Sequence, residues 1–169
     1  GTVKGKRVPG LGSPNAPETF SVWGIDVAGA KPRVVAKVKT GLLVGQLTDL
    51  KFPAVGGSSP NSVVATNNRA YVANGTNDNV QVIDLTTWRI VATIPLGPVP
   101  GIKQRGVSPF GVTLSPDGRR LYVAEAGINA VGVIDTWKAK LIGHIPAGWY
   151  PSKVQVSRDG GTLYIANAK

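Results

Sequence analysis

An internal repeat constrains this chain more than any other feature. Ser108-Pro109-Phe110-Gly111-Val112-Thr113-Leu114-Ser115-Pro116-Asp117-Gly118 leads to Leu121-Tyr122-Val123-Ala124. Val131-Gly132-Val133-Ile134-Asp135 follows, and Leu141-Ile142-Gly143-His144-Ile145-Pro146-Ala147-Gly148 closes the unit. The preceding unit runs the same way, from Ser59-Pro60 through Ala70-Tyr71-Val72-Ala73-Asn74 and Val80-Gln81-Val82-Ile83-Asp84 to Ile90-Val91-Ala92-Thr93-Ile94-Pro95-Leu96-Gly97. Tyr-to-Asp spacing is 13 in both copies, and Asp-to-aliphatic spacing is six. A third copy starts at Tyr150-Pro151 and reaches Leu163-Tyr164-Ile165-Ala166-Asn167. An earlier half-copy is visible at Ser21-Val22-Trp23-Gly24-Ile25-Asp26 and Val34-Val35-Ala36-Lys37-Val38.

Each unit reads as four short strands. Apolar and small residues alternate over five or six positions rich in Val, Ile, Tyr and Thr. Ser115-Pro116-Asp117-Gly118 and Arg158-Asp159-Gly160-Gly161 supply turn chemistry: Pro presets φ, Asp bonds its own backbone, and Gly accepts positive φ. No stretch sustains a helical period, which excludes a solenoid of helix pairs. An immunoglobulin-like sandwich would not repeat internally at this spacing. Four strands in about 42 residues match a β-propeller blade. The expected fold is all-β, a partial propeller of four-stranded antiparallel blades. Residues 1–20 form an N-terminal extension outside the repeat. Residues 21–169 divide into a half blade at 21–41, blades at 59–97 and 108–148, and a half blade at 150–169. Three blades' worth is below the usual four to eight of a closed propeller. The chain therefore reads as a fragment, completed by the rest of its own propeller or by another chain. A homo-oligomer of two copies, closing a six-blade ring through their half blades, is the sharper version.

Tyr71-Val72-Ala73-Asn74, Tyr122-Val123-Ala124-Glu125 and Tyr164-Ile165-Ala166-Asn167 resemble the YVTN-type β-propeller repeat of surface-layer-like and periplasmic proteins. The Ser-Pro-Asp-Gly turn and the Val-Ile-Asp strand resemble it too. The likeness covers roughly residues 20–169. Ala124-Glu125-Ala126-Gly127-Ile128-Asn129 and Gly148-Trp149-Tyr150-Pro151-Ser152 are similar to a narrower group. In that group the propeller precedes an alkaline-phosphatase-like phosphoesterase domain in an exported bacterial protein. This resemblance implies a periplasmic or extracellular location and an accessory role beside such a domain, none of which lies in these residues.

Composition adds limits. The net charge of +10, from 19 Lys+Arg against 9 Asp+Glu, favours anionic partners such as acidic polymer, acidic lipid or nucleic acid. The cations are spread out, with no basic helix and no run of five like charges, so a solvated basic surface is the simpler reading. No apolar run approaches the length of a membrane-spanning helix. Gly1 is followed by Lys4, Lys6 and Arg7 but by no apolar signal region, and the missing initiator Met reads as a processed or truncated chain. Cysteine is absent, so disulfides and thiolate metal sites are excluded.

Catalytic constellations are sparse. The one histidine, His144, aligns with Thr93 on the fourth, outermost strand, which makes it a surface or edge position. No histidine pair has metal-ligand spacing, and no serine sits in a Gly-x-Ser-x-Gly elbow. Asp84, Asp117, Asp135 and Asp159 read as turn and strand-end caps. Gly56-Gly57 and Gly160-Gly161 are turns without a following helix, which excludes a phosphate-binding loop. No catalytic residue, metal or cofactor is expected. Binding residues are expected where the connections between strands two and three, and between blades, meet at one face. The long Gly97–Pro109 connection carries Lys103 and Arg105, suited to an acidic ligand. Glu125 stands where the repeat has Asn, in the simpler reading as a solvated variant. Asn129, Trp149 and Tyr150 complete the candidate set; Trp149 and Tyr150 sit at a blade junction, where packing between blades is the expected role and ligand stacking the alternative. The function read from the sequence is a non-catalytic scaffold or recognition module. An accessory part of a phosphoesterase is the alternative, and an electrostatic binder of acidic polymer or nucleic acid a weaker one.

Overall fold

Each alternating segment becomes a strand that pairs antiparallel with its neighbour in sequence, because the turns between them are too short for any other connection. The computed structural model describes residues 2–3, 5–7, 16, 18–48, 51–54, 56–98 and 105–169, and these are all-β apart from one 3-10 turn, Ala126–Ile128. The strands are β1 (Thr2–Val3), β2 (Lys6–Arg7), β3 (Ser21–Asp26), β4 (Arg33–Lys39), β5 (Pro60–Ala65), β6 (Arg69–Asn74) and β7 (Asn79–Asp84). They continue as β8 (Arg89–Pro95), β9 (Pro109–Leu114), β10 (Arg120–Glu125), β11 (Ala130–Asp135), β12 (Lys140–Pro146), β13 (Pro151–Val156) and β14 (Leu163–Asn167). Among the described residues, β5-β6-β7-β8 and β9-β10-β11-β12 form two four-stranded meanders, and β1-β2, β3-β4 and β13-β14 form two-stranded hairpins.

The repeat is reproduced in the pairing. The register slips at the same place in β3–β4, β7–β8 and β11–β12, at Gly24/Ile25, Val82/Ile83 and Val133/Ile134. Aspartate caps close the turns after β7 and β11. Asp84 Oδ1 accepts the Thr86 and Thr87 N–H groups at 2.9 and 2.8 Å, and Asp135 Oδ1 accepts those of Trp137 and Lys138 at 3.0 Å. Asp117 and Asp159 play the same part in the Ser-Pro-Asp-Gly and Ser-Arg-Asp-Gly turns, accepting the N–H of Arg119 and of Gly161. The hydrogen bonds from these turns hold all four carboxyls below the usual carboxylate range.

The sheets stack face to face, and alternation sends successive residues to opposite neighbours. Tyr71, Ala73, Val80 and Val82 meet Val112, Leu121, Val123 and Ile134 between the two meanders. Ala70, Val72 and Ile83 face the β3-β4 hairpin, with Val22, Val38 and Trp88. Ala124 and Val131 face β13-β14, with Val154, Leu163 and Ile165. The Trp88 ring lies on Gly24, where any Cβ would come within 2.2 Å of it, so this tryptophan is half-buried packing between sheets. Trp137, at the equivalent turn, is 76% exposed beneath the Arg119 guanidinium. The stack is tight on one side only. β9 packs against β5 and β13, whereas the fourth strands β8 and β12 barely touch. Asn61 Nδ2 donates to Pro109 O at 3.0 Å, and the Val112 N–H donates to Ser62 Oγ at 3.3 Å, tying the first strands together.

Before the repeat, Lys39 Nζ donates to the carbonyl oxygens of Ala16 and Thr19, which fastens that segment to β4.

Candidate functional site

Strand alternation brings the β6–β7 and β10–β11 turns and the entries to β9 and β13 to one end of the stack. A carbonyl-type side-chain oxygen in each turn clasps the entry to the next sheet. Asp78 accepts the Gly106 N–H at 2.8 Å on one oxygen and the Ser108 N–H at 2.9 Å on the other. Asn129, one sheet further on, accepts the Tyr150 N–H at 2.9 Å. Both clasp residues adopt left-handed backbone, with φ of 50° at Asp78 and 55° at Asn129, a conformation Asn and Asp tolerate best among residues with a Cβ. So do the residues clasped at the strand entries, Ser108 and Tyr150, with φ of 49° and 56°.

Beside the Asp78 clasp lies a buried acid. Glu125, the last residue of β10, is fully buried. Its Oε2 is 2.7 Å from Nδ1 of His144 on β12, while Oε1 and His144 Nε2 are both buried with no hydrogen-bond partner among the described residues. Two strand pairings separate the partners across β11, and Gly132 makes their contact possible. Gly132 is in register with Val123 on one side and His144 on the other. Glu125 Oε1 fills the place of its missing side chain, where a Cβ would come within 2.3 Å.

The neighbouring meander shows what this arrangement replaces. At the equivalent positions Asn74, Gln81 and Thr93 form a neutral ladder. Asn74 donates to Gln81 Oε1 at 3.3 Å, and Gln81 Nε2 donates to Thr93 Oγ1 at 3.1 Å. The Gly41 N–H also donates to Gln81 Oε1, at 2.7 Å. In the second meander the middle residue is reduced to Gly132 and the outer two are enlarged, so an acid and an imidazole meet where an amide bridged a short amide and a hydroxyl. Burial, and then the charge of Asp78, push the Glu125 carboxyl up to about 8, and burial lowers the His144 imidazole. A carboxyl and an imidazole sharing one short hydrogen bond titrate as a pair.

The sequence-predicted residues divide. Lys103 lies outside the described residues. Arg105 is exposed and lines a cavity of about 320 Å³ with Phe52, Pro53, Thr76 and Asn77, on the same end of the stack. Trp149 is 71% exposed rather than packed between sheets. Tyr150 packs on Phe110 of β9, ring centroids 5.9 Å apart, under the Lys169 ammonium. Two readings are corrected. Glu125 is a buried acid, not a solvated variant, because its side chain points to the inter-sheet face shared with Val123. His144 does lie on the edge strand β12, but its imidazole is only 20% exposed and turns inward to that acid. Sequence reasoning missed Asp78 and Gly132. The signal for Gly132 was present as one of three simultaneous departures from the repeat, Asn to Glu, Gln to Gly and Thr to His, at positions that share a face.

No family model matches the chain, and no curated protein matches it. Among solved structures, the chain is similar to hydrazine synthase from Kuenenia stuttgartiensis, with 26% identity and a TM-score of 0.58 over 65% of this chain and 29% of that one. A functionally unknown protein from Desulfotomaculum acetoxidans DSM 771 matches at 18% identity and a TM-score of 0.46, over 88% of this chain and 56% of that one. The chain thus spans less than two thirds of the length of either protein.

Proposed function

We propose that this chain is part of a β-propeller that serves as a non-catalytic recognition or scaffold module of an exported bacterial protein. The observation that carries the reading is the one-sided stack. First strands β5, β9 and β13 converge while fourth strands β8 and β12 diverge, as blades do around a central axis. The YVTN-like repeat and the similarity to part of a hydrazine synthase chain support the same reading. The outer edges of β3 and β14 have no strand partner among the described residues, and Trp23, Ile25 and Tyr164 beside them are exposed. In the propeller these edges pair with strands of another chain or of the rest of the propeller. Recognition occurs at the loop end, where Arg105, Asn129 and Trp149 stand on connections between paired strands. The ligand class is acidic, given the net charge of +10 and Arg105 at the rim of the cavity.

The likeness of the Ala124–Asn129 and Gly148–Ser152 segments to propellers that precede a phosphoesterase supports the second reading, an accessory domain that orients substrate for such an enzyme. Two measurements test the proposals. Retention of the chain on immobilised polyphosphate should fall with salt and fall further in Lys103→Ala/Arg105→Ala; retention unchanged by that pair of substitutions refutes the siting. The chain alone should not hydrolyse p-nitrophenyl phosphate, and turnover that disappears in His144→Ala would overturn the non-catalytic reading.

A further inference from the structure

The Glu125–His144 pair has no part in the recognition proposed above, yet it places a buried acid beside the clasp that fixes the loop end. We propose that Glu125, His144 and Asp78 form a proton-operated clasp between the two meanders, which holds the Gly106–Ser108 segment while the pair keeps its shared proton and loosens it when that proton is lost. The geometry has four parts. Glu125 is fully buried, and among the described residues its side chain shares its one hydrogen bond with His144, the member of the pair with access to solvent. Asp78, nearly buried itself, reaches across from the first meander and holds both Gly106 and Ser108. Gly106 is in left-handed backbone with φ of 91°, a hinge that a glycine provides. Its carbonyl lies against Gly127, where a Cβ would come within 1.7 Å, so the segment that follows Glu125 touches the segment Asp78 holds.

The charges decide the sense. With one proton on the pair, the carboxylic acid with neutral imidazole and the carboxylate with imidazolium are both neutral overall. Asp78 then stands beside a neutral pair and its charge is satisfied by two N–H groups. Removing the proton adds a carboxylate charge at Glu125 that the Asp78 carboxylate opposes. At the clasp end the other charged groups are Arg105, one residue before Gly106 and turned to the cavity with Asn77, and Lys153 on β13, which lies on the opposite face of β9 against Gly111; Arg69, Asp84, Arg89, Arg120, Asp135 and Lys140 stand at the far ends of their strands. The least buried way to separate the carboxylates is movement of the Asp78 turn and the segment it holds. In the unfolded chain Glu125 titrates near 4.5, and in the folded protein near 8, so between those values the folded state binds the extra proton. Stability contributed by the protonated acid is therefore complete below 4.5 and is lost as pH rises through about 8.

Amide exchange on the whole chain tests this, with protection factors corrected for the intrinsic rate. Between about pH 6.5 and pH 9.5 the protection of the Gly106 and Ser108 amides should fall at least about tenfold relative to Val80 and Val131 in the strand cores, as loss of a single proton past its pKa requires. The triple variant Glu125→Asn/Gly132→Gln/His144→Thr installs the neutral ladder of the first meander and should abolish that pH dependence. Glu125→Gln, which keeps the size of the side chain, should do the same and serves if the triple variant does not fold. Equal loss of protection at all four amides, or an unchanged pH profile in Glu125→Gln, would overturn the proposal.

Discussion

Replacing Gly132 with alanine adds one methyl group, and the structure fixes its consequence. Gly132 lies inside β11, where Gly→Ala normally stabilises by about 0.4–1 kcal/mol through the unfolded chain. Here the new Cβ would stand 2.3 Å from Glu125 Oε1 and 2.9 Å from its carboxyl carbon. Ordinary contact requires the carboxyl to retreat by roughly 1 Å. That retreat is blocked by the 2.7 Å bond to His144 on one side and by close packing around a fully buried residue on the other. Overpacking of this kind costs about 1–3 kcal/mol, and a weakened buried hydrogen bond adds about 1–2 kcal/mol. The expected net loss is about 2–4 kcal/mol, a fall in Tm of roughly 5–12 °C for a chain of this size. Urea unfolding followed by tryptophan fluorescence measures it, with an unchanged m-value as the check that only stability moved. Gly143→Ala is the internal control. It is a near neighbour in β12, its Cβ would meet nothing within 4 Å, and it should be neutral or stabilise by about 0.5 kcal/mol. Glu125→Asn shortens the acid to the length of Asn74, so in that background Gly132→Ala should cost at least about 1 kcal/mol less. A Gly132→Ala protein within about 0.5 kcal/mol of the parent, or an equal cost of Gly132→Ala in the Glu125→Asn background, would refute the reasoning.

Three further outcomes follow from the same packing. Gly127→Ala drives a Cβ to 1.7 Å from the Gly106 carbonyl oxygen, a backbone atom with no rotamer to yield, and should lower stability by on the order of 3 kcal/mol in the same unfolding assay. The carboxyls of Asp84, Asp117, Asp135 and Asp159 are held below their ordinary value of 3.8 by turn hydrogen bonds, so their stabilisation is present above that pH and lost as pH falls below it. Acid titration of the unfolding midpoint should show that loss, and it should be smaller in Asp84→Asn/Asp135→Asn. Trp88→Ala removes the ring that covers Gly24 and should destabilise by about 3 kcal/mol or more, whereas Trp137→Ala, 76% exposed at the equivalent turn, should stay within about 0.5 kcal/mol; similar losses for the two would show that the ring is not packed between sheets.

Much of this molecule is local and was therefore readable along the chain. Val-Ile-Asp before a four-residue turn, or Ser-Pro-Asp-Gly between two alternating runs, determines strand, cap and turn within about ten residues, because side-chain period and turn hydrogen bonds act over that distance. Recurrence of those pieces then implied four-stranded meanders, and the strands at Pro60–Pro95 and Pro109–Pro146 pair as the repeat requires. Even the caps at Asp84 and Asp135 were legible, since an aspartate two and three residues before free N–H groups has one favourable use.

The candidate site was not legible in that way. Whether Glu125 is solvated or buried depends on which face of β10 meets the neighbouring sheet, and period-2 alternation is the same on both faces. Its contact with His144 crosses two strand pairings, each with its own register, and passes over a residue whose contribution is the absence of a side chain. The clasp from Asp78 to Gly106 and Ser108 joins residues 28 and 30 positions apart, along a connection whose path no local rule sets. Sequence alone determined the strands, the turns and the fact that the second unit departs from the first at, among others, three places: Glu125, Gly132 and His144. Tertiary structure decided that those three places are one place, because only the pairing of β10, β11 and β12 and the stacking of one sheet on another take a carboxyl out of water and bring an imidazole up to it.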